Sequence, residues 1–247
     1  MSTLAVYQSK GGVGKTATAV NLAYQASLEV PTLLVDLDPQ SAATYYFRIK
    51  PSFAPGAKGI AKGKKSDAWK YIRGTDYAGL DLLPAETSFR KLDLKLAQEE
   101  KSITRLRSFL KPLRKEYEVI ILDCPPSLNV LAENIFTAAD ALIVPIVPTT
   151  LAMRTFEQLN RFLGRRTYAG LKVLPFLSLV DNRKKLHREI AANLRSSDDR
   201  FLSQQISNSS VIERMGIERR PVGDFSPRSA AAKAYRNLWN EIQARLS

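Results

Sequence analysis

The chain has 247 residues, 45% of them apolar, and sets 37 Lys and Arg against 24 Asp and Glu for a formal net charge of +13. That length and apolar content supply a substantial core, and evenly spaced strand and helix signals lead us to expect a single domain spanning residues 1–247. The one cysteine, Cys124, excludes an intramolecular disulfide and cannot alone ligate zinc or an iron–sulfur cluster, and the one histidine, His187, removes support for histidine-dependent metal or triad chemistry.

In chain order, short runs rich in Val, Ile and Leu at 4–7, 32–35, 80–83, 119–122, 141–147 and 173–180 are expected to be buried parallel strands. Stretches with helical spacing lie between them at 16–28, 89–98, 103–115, 129–138 and 151–163. The alternation predicts an α/β fold, a doubly wound and mostly parallel sheet flanked by helices. Residues 56–65, rich in Gly and Lys, are expected to form a mobile basic loop, and 229–246 an amphipathic helix that packs on the sheet. No charged leader with an apolar core opens the sequence, and no stretch approaches the roughly 18 uninterrupted apolar residues of a spanning helix, so a soluble cytoplasmic protein is expected.

The most telling segment is Gln8-Ser9-Lys10-Gly11-Gly12-Val13-Gly14-Lys15-Thr16, placed where the first strand turns into the first helix. Its glycines let backbone N–H groups converge on phosphate oxygens, Lys15 supplies a point charge, and the Thr16 hydroxyl suits a magnesium ion. The strict phosphate-loop pattern has Gly where this chain has Ser9, and it does not require Lys10. Asp123 closes the fourth strand, where a carboxylate can hold magnesium directly or through water opposite Thr16. Positive charge concentrated from Arg183 to Arg245 predicts attraction to nucleic acid by counterion release, against the plainer reading of a basic surface that only maintains solubility.

The run Lys10 to Thr16, followed by Val35-Asp36-Leu37-Asp38-Pro39-Gln40 and Ile120-Ile121-Leu122-Asp123-Cys124-Pro125-Pro126-Ser127, resembles the deviant Walker A ATPases of the ParA/MinD class, on the ParA side. The likeness runs from the first strand to the last helix and is weakest over 49–79. The resemblance implies the P-loop NTPase fold and binding of ATP with Mg2+ by Lys10, Gly11, Gly12, Val13, Gly14, Lys15, Thr16 and Ala17. It makes Asn182 the base contact, with Asp181 and Pro221 comparably placed. Lys10, Lys15 and Asp38 become the catalytic residues: Lys10 reaches the partner's phosphates across a sandwich dimer, and Asp38 orients the attacking water. Asp36 becomes a structural neighbour of Asp38, although geometry could reverse those two roles. Thr16, Asp38 and Asp123 become the magnesium set, and Pro125 and Pro126 stiffen switch II.

By the same resemblance the protein is an ATP-dependent dimerising switch, associated with the nucleoid, that binds nonspecific double-stranded DNA. It would partition or position a cargo such as a plasmid, a chromosome or a protein assembly like a carboxysome. Slow hydrolysis would be stimulated by a ParB-like or other adaptor. Arg195, Arg219 and Arg220 are the candidate DNA contacts. Two departures from the family pattern, Pro148-Thr149-Thr150 and the segment 201–216, fall in this region. A phosphate loop beginning by residue 8 leads us to expect no operator-binding domain ahead of it. The competing reading is a MinD-like switch that binds a membrane surface through the last helix, with Trp239, Arg236 and Arg245 in its favour and Asn237, Asn240 and Glu241 against it. A DNA-binding module with a vestigial phosphate loop is opposed by intact Lys15, Thr16, Asp38 and Asp123.

Overall fold

The computed structural model describes residues 1–50, 56–62, 68–85, 87–99 and 102–247. Its strands are β1 (Ser2–Val6), β2 (Thr32–Asp36), β3 (Arg73–Gly74), β4 (Leu80–Leu83), β5 (Val119–Asp123), β6 (Ala141–Ile146) and β7 (Lys172–Leu177), and they form one sheet in the order β3-β4-β2-β5-β1-β6-β7. Every neighbouring pair is parallel except β3 with β4. The helices are α1 (Lys15–Ser27), α2 (Ala42–Tyr46), α3 (Gly56–Lys62), α4 (Leu92–Ala97), α5 (Arg105–Leu110), α6 (Val130–Ala138), α7 (Thr150–Leu163), α8 (Lys185–Ser197), α9 (Ser210–Glu213), α10 (Met215–Glu218), α11 (Val222–Phe225) and α12 (Ala230–Leu246).

The central strands are apolar apart from Ser2 and Thr3 in β1, Thr32 and Asp36 in β2 and Asp123 in β5, because helices cover both faces of the sheet. Leu33, Ile120 and Leu122 point into the core under α4 to α7, while Leu4, Val6, Leu34 and Ile121 point into the core under α1 and α12. The chain runs from β1 outward to β2, and later from β5 back across β1 to β6, so the strand order reverses around β1. A doubly wound sheet opens its ligand crevice at that reversal, beyond the carboxyl ends of the strands.

Several elements differ from the sequence expectation. The helix expected over 103–115 is broken, with 3-10 turns at Ser102–Thr104 and Leu113–Lys115 flanking α5. Pro112 accounts for the second break, since it has no N–H to donate and its ring crowds the preceding turn. The first half of 89–98 is likewise a 3-10 turn, Thr87–Lys91, ahead of α4. The last strand stops at Leu177 rather than at residue 180, and Leu179 leaves the extended region with φ of +52°.

The basic loop expected over 56–65 is corrected in part. Residues 56–62 form α3, with Ile60 and Ala61 buried in the core, while 63–65 lie outside the described residues. Burial of Ile60 supplies what the Gly- and Lys-rich composition lacks.

Ser229 caps α12, its Oγ accepting the Ala232 amide at 3.1 Å. The apolar face of that helix, with Tyr235, Leu238, Trp239 and Ile242, is buried on α1 and the sheet. Trp239 Nε1 donates to Glu29 at 3.3 Å, and Glu241 accepts the Ser203 and Gln204 amides at 2.6 and 2.9 Å. Each of those large side chains contributes roughly 1.5–3 kcal/mol by leaving water. The surface that a membrane switch would insert is therefore part of the core. Among the described residues no helix is long and apolar enough to cross a membrane.

Candidate functional site

The loop between β1 and α1 takes its shape from two glycines in the left-handed region. Gly12 has φ of +71° and Gly14, the residue before α1, has φ of +89°. A Cβ at Gly14 would also stand 3.2 Å from Ser178 Oγ. The Ser178 hydroxyl donates to Val13 O at 2.8 Å, so the end of β7 is fastened to the loop. At the loop's other side Tyr7 donates its hydroxyl to Ser127 O at 2.9 Å, which ties the end of β1 to the segment after Asp123.

Lys15 is buried, and its ammonium folds back to donate to Lys10 O at 3.1 Å. Burial pulls its pKa below the usual range, against an opposing pull from Asp123, Cys124 and Asp38. A lysine so placed favours an anion that brings compensating charge. Lys10 itself is half-buried at the loop's entry.

Asp123 ends β5 in register with Asp36 at the end of β2, and both residues are completely buried. The two carboxylates are not equivalent. Asp36 Oδ2 accepts from Thr44 N at 2.8 Å and Thr44 Oγ1 at 2.7 Å, and its Oδ1 accepts from Asp38 N at 3.2 Å. By contrast both oxygens of Asp123 lack a hydrogen-bond partner of ordinary geometry. Burial and the neighbouring Asp36 push the Asp123 carboxyl far above the usual range, although the Thr16 hydroxyl and Lys15 act in the opposite direction. Burial likewise raises Asp36 to about 6. Asp38 is half-buried, with Oδ1 accepting the Gln40 amide at 2.9 Å.

An orphaned, buried carboxylate facing the Thr16 hydroxyl is an incomplete site for a hard cation. Among the described residues no three Asp, Glu, His or Cys side chains converge into a ready-made metal cage. Magnesium fits such a donor set, because it takes one or two protein ligands and completes its shell with water and phosphate oxygens.

Asn182 is exposed on the loop after β7, and its carbonyl accepts Arg188 Nη1 at 2.7 Å. The preceding Asp181 amide donates to Nδ1 of His187 at 3.1 Å, and the Asp181 carboxylate, held down to about 2 by Arg183, grips that guanidinium. His187 is thus a buried structural acceptor, which its polar sequence surroundings did not signal. Pro221 is buried at the start of α11, beside the Val222 amide that donates to Asn21 Oδ1 of α1 at 2.8 Å.

The three candidate DNA arginines are placed differently. Arg195 lies on α8, its side chain outside the described residues. Arg220 is held by Glu218 at 3.2 Å and Asp224 at 3.3 Å. The guanidinium of Arg219 stacks on Tyr45, 4.3 Å from the ring centroid. Sequence reasoning did not single out Tyr45, Thr44 or Ser178, and only Ser178, next to a strand end, had any positional signal.

The sheet order, the glycine loop and the carboxylates beyond β2 and β5 define a P-loop NTPase fold. Residues 1–169 match the family described as AAA domain (AAA_31). Over 99% of this chain and 95% of its relative, the sequence is 30% identical to the chromosome partitioning protein ParA of Caulobacter vibrioides. It is 28% identical to the sporulation initiation inhibitor protein Soj of Bacillus subtilis, covering 98% of each chain. Among solved structures it superimposes with a TM-score of 0.82, at 29% identity, on a cobyrinic acid a,c-diamide synthase from Mycobacterium smegmatis with bound ATP analogue and magnesium, covering 99% of this chain and 95% of that one. The chain belongs to this AAA-domain family, as a ParA-type member of the ParA/MinD group.

Proposed function

We propose that the protein is an ATP- and Mg2+-dependent switch of the partitioning type. ATP binding brings two chains together, the dimer holds nonspecific double-stranded DNA, and a ParB-like or other adaptor on a cargo stimulates hydrolysis and release. The observation that carries the reading is the buried Asp123, neither oxygen of which has a hydrogen-bond partner of ordinary geometry, across from Thr16 and Lys15 at the mouth of a glycine loop.

Each part of the site has a separable task. Loop amides from Gly11 to Thr16 cradle the phosphates, and Lys15 turns from Lys10 O to the terminal phosphates. Thr16 and Asp123, with Asp38 beside them, would hold the magnesium ion, which neutralises charge on the terminal phosphates. Asp36 is saturated by Thr44 and Asp38 and sets the strand end, leaving Asp38 to orient water. Lys10 stabilises charge on the partner's nucleotide. Asn182 receives the base on a loop braced by His187 and Arg188.

The basic surface supplies the polyanion contact. Arg188 of α8 and Arg228, Lys233 and Arg236 at α12 are exposed, and Arg195 and Arg220 belong to the same stretch of chain. Location on the nucleoid follows from that contact. The cargo is a plasmid, a chromosome or a protein assembly.

Equilibrium binding of ATP with and without Mg2+ tests the nucleotide part. Wild-type protein should bind at least tenfold more tightly with Mg2+, and Asp123→Asn should lose that difference while Lys15→Ala loses affinity in both conditions. Magnesium-independent binding in wild type would contradict the assignment of Asp123.

A further inference from the structure

Arg219 was expected to face DNA, and in the structure its guanidinium is engaged at the surface by Tyr45. Its Nε donates to the carbonyl of Tyr45 at 3.0 Å while its guanidinium stacks on the Tyr45 ring. Tyr45 returns the contact by donating its hydroxyl to Gly216 O at 3.2 Å. Arg219 is the C-terminal cap of α10 and occupies the left-handed region with φ of +50°, a conformation that disfavours a side chain. The strain is held in place by surrounding contacts, among them the Arg219 amide on Met215 O at 2.8 Å.

Both ends of the clasp lead to the nucleotide site. On one side, Tyr45 lies in the last turn of α2, whose Thr44 binds Asp36 twice, while the Ser41 amide donates to Asp38 O at 2.9 Å. On the other side, α10 is anchored to the phosphate-loop helix. Asn21 of α1 donates to Met215 Sδ at 3.3 Å and to Ala17 O at 2.7 Å. Arg219 therefore closes a ring of contacts that runs from α1 through α10 and α2 to Asp36 and Asp38.

We propose that Arg219 is a positioning residue for hydrolysis: by clasping Tyr45 it fixes α2, and with it Asp38, relative to the phosphate-loop helix. The proposal rests on the reading of Asp38 as the residue that orients water. A small displacement of such a residue slows the chemical step without weakening nucleotide binding, because the phosphates are held by the loop.

Steady-state ATP hydrolysis with Mg2+, paired with binding of a nonspecific DNA duplex over a range of salt, separates this role from a direct DNA contact. Tyr45→Ala removes the ring without changing charge. It should lower kcat roughly tenfold with KM within about threefold of wild type, and Arg219→Gln should do the same. The double variant should be no slower than the worse single variant, as expected for two halves of one contact. Tyr45→Phe, which keeps the ring and the carbonyl, should stay within about threefold of wild type, and Arg219→Lys, which keeps the charge but loses the Nε donor, should remain slow. Thermal midpoints within a few degrees of wild type confirm that the variants are folded.

The strut is overturned if Tyr45→Ala leaves kcat unchanged while Arg219→Gln lowers DNA affinity and flattens its salt dependence by about one charge, the mark of a phosphate contact. A wild-type protein with no Mg2+-dependent turnover would instead overturn the ATPase reading beneath it.

Discussion

Asp36 and Asp123 face each other in register on adjacent strands, both fully buried, yet only Asp36 has its oxygens satisfied. Two carboxylates so placed repel each other in the metal-free protein, and the stored repulsion favours binding of a cation.

That arrangement predicts an unusual pH dependence. Asp36 is held at about 6 and Asp123 is also raised, both above the unfolded carboxylate value of about 3.9. The native protein thus binds protons that the unfolded chain has released, so Asp36 lowers stability as pH rises through the window from about 4 to 6, and Asp123 acts in the same direction. For Asp36 alone the cost at neutral pH is on the order of 3 kcal/mol. Metal-free Asp123→Asn should therefore be more stable than wild type at about pH 7.5, by roughly 1–3 kcal/mol, and the advantage should shrink towards pH 4.5. Urea unfolding at several pH values measures the difference, and an Asn variant less stable at neutral pH would contradict the repulsion.

Gly14→Ala combines a side chain at φ of +89° with a Cβ 3.2 Å from Ser178 Oγ. Stability should fall by roughly 1–3 kcal/mol, and ATP affinity by more than tenfold because the loop amides turn away. Calorimetric titration with ATP and urea denaturation report the two effects separately.

Lys10→Ala should still bind ATP as a monomer but fail to dimerise with it. Light scattering after gel filtration distinguishes the states, and turnover should drop by about a hundredfold or more. An ATP-dependent dimer in this variant would remove Lys10 from the interface.

Trp239→Ala should cost roughly 3–5 kcal/mol, because the ring lies in the core between α12 and the sheet. That corresponds to a fall of roughly 10 °C in thermal midpoint. Wild-type protein should not sediment with zwitterionic liposomes, which carry no net charge for the basic surface to bind, in either nucleotide state, and ATP-dependent sedimentation would revive the membrane switch.

The sheet was legible because strands buried on both faces are written as unbroken apolar runs, such as Val119 to Leu122, and the crevice because Lys10 to Thr16 and Asp123 lie at strand ends. The AAA-domain match and the partitioning relatives bear out the family drawn from those motifs. What stayed hidden depends on contacts between distant parts of the chain. Ile60 stabilises α3 only once it is packed in the core, so composition suggested a loop. Asp36 and Asp38 look alike in sequence and differ through Thr44. Arg219 reads as one more surface cation until Tyr45, far away in sequence, is placed beneath it.

The most direct test of the central claim is binding of a fluorescent, nonspecific DNA duplex with Mg2+ and ATP, with ADP, and without nucleotide, at several salt concentrations. Tight binding is expected only with ATP, weakening steeply as salt rises. Binding that ignores the nucleotide, or no binding in any state, would contradict a nucleotide-gated DNA switch.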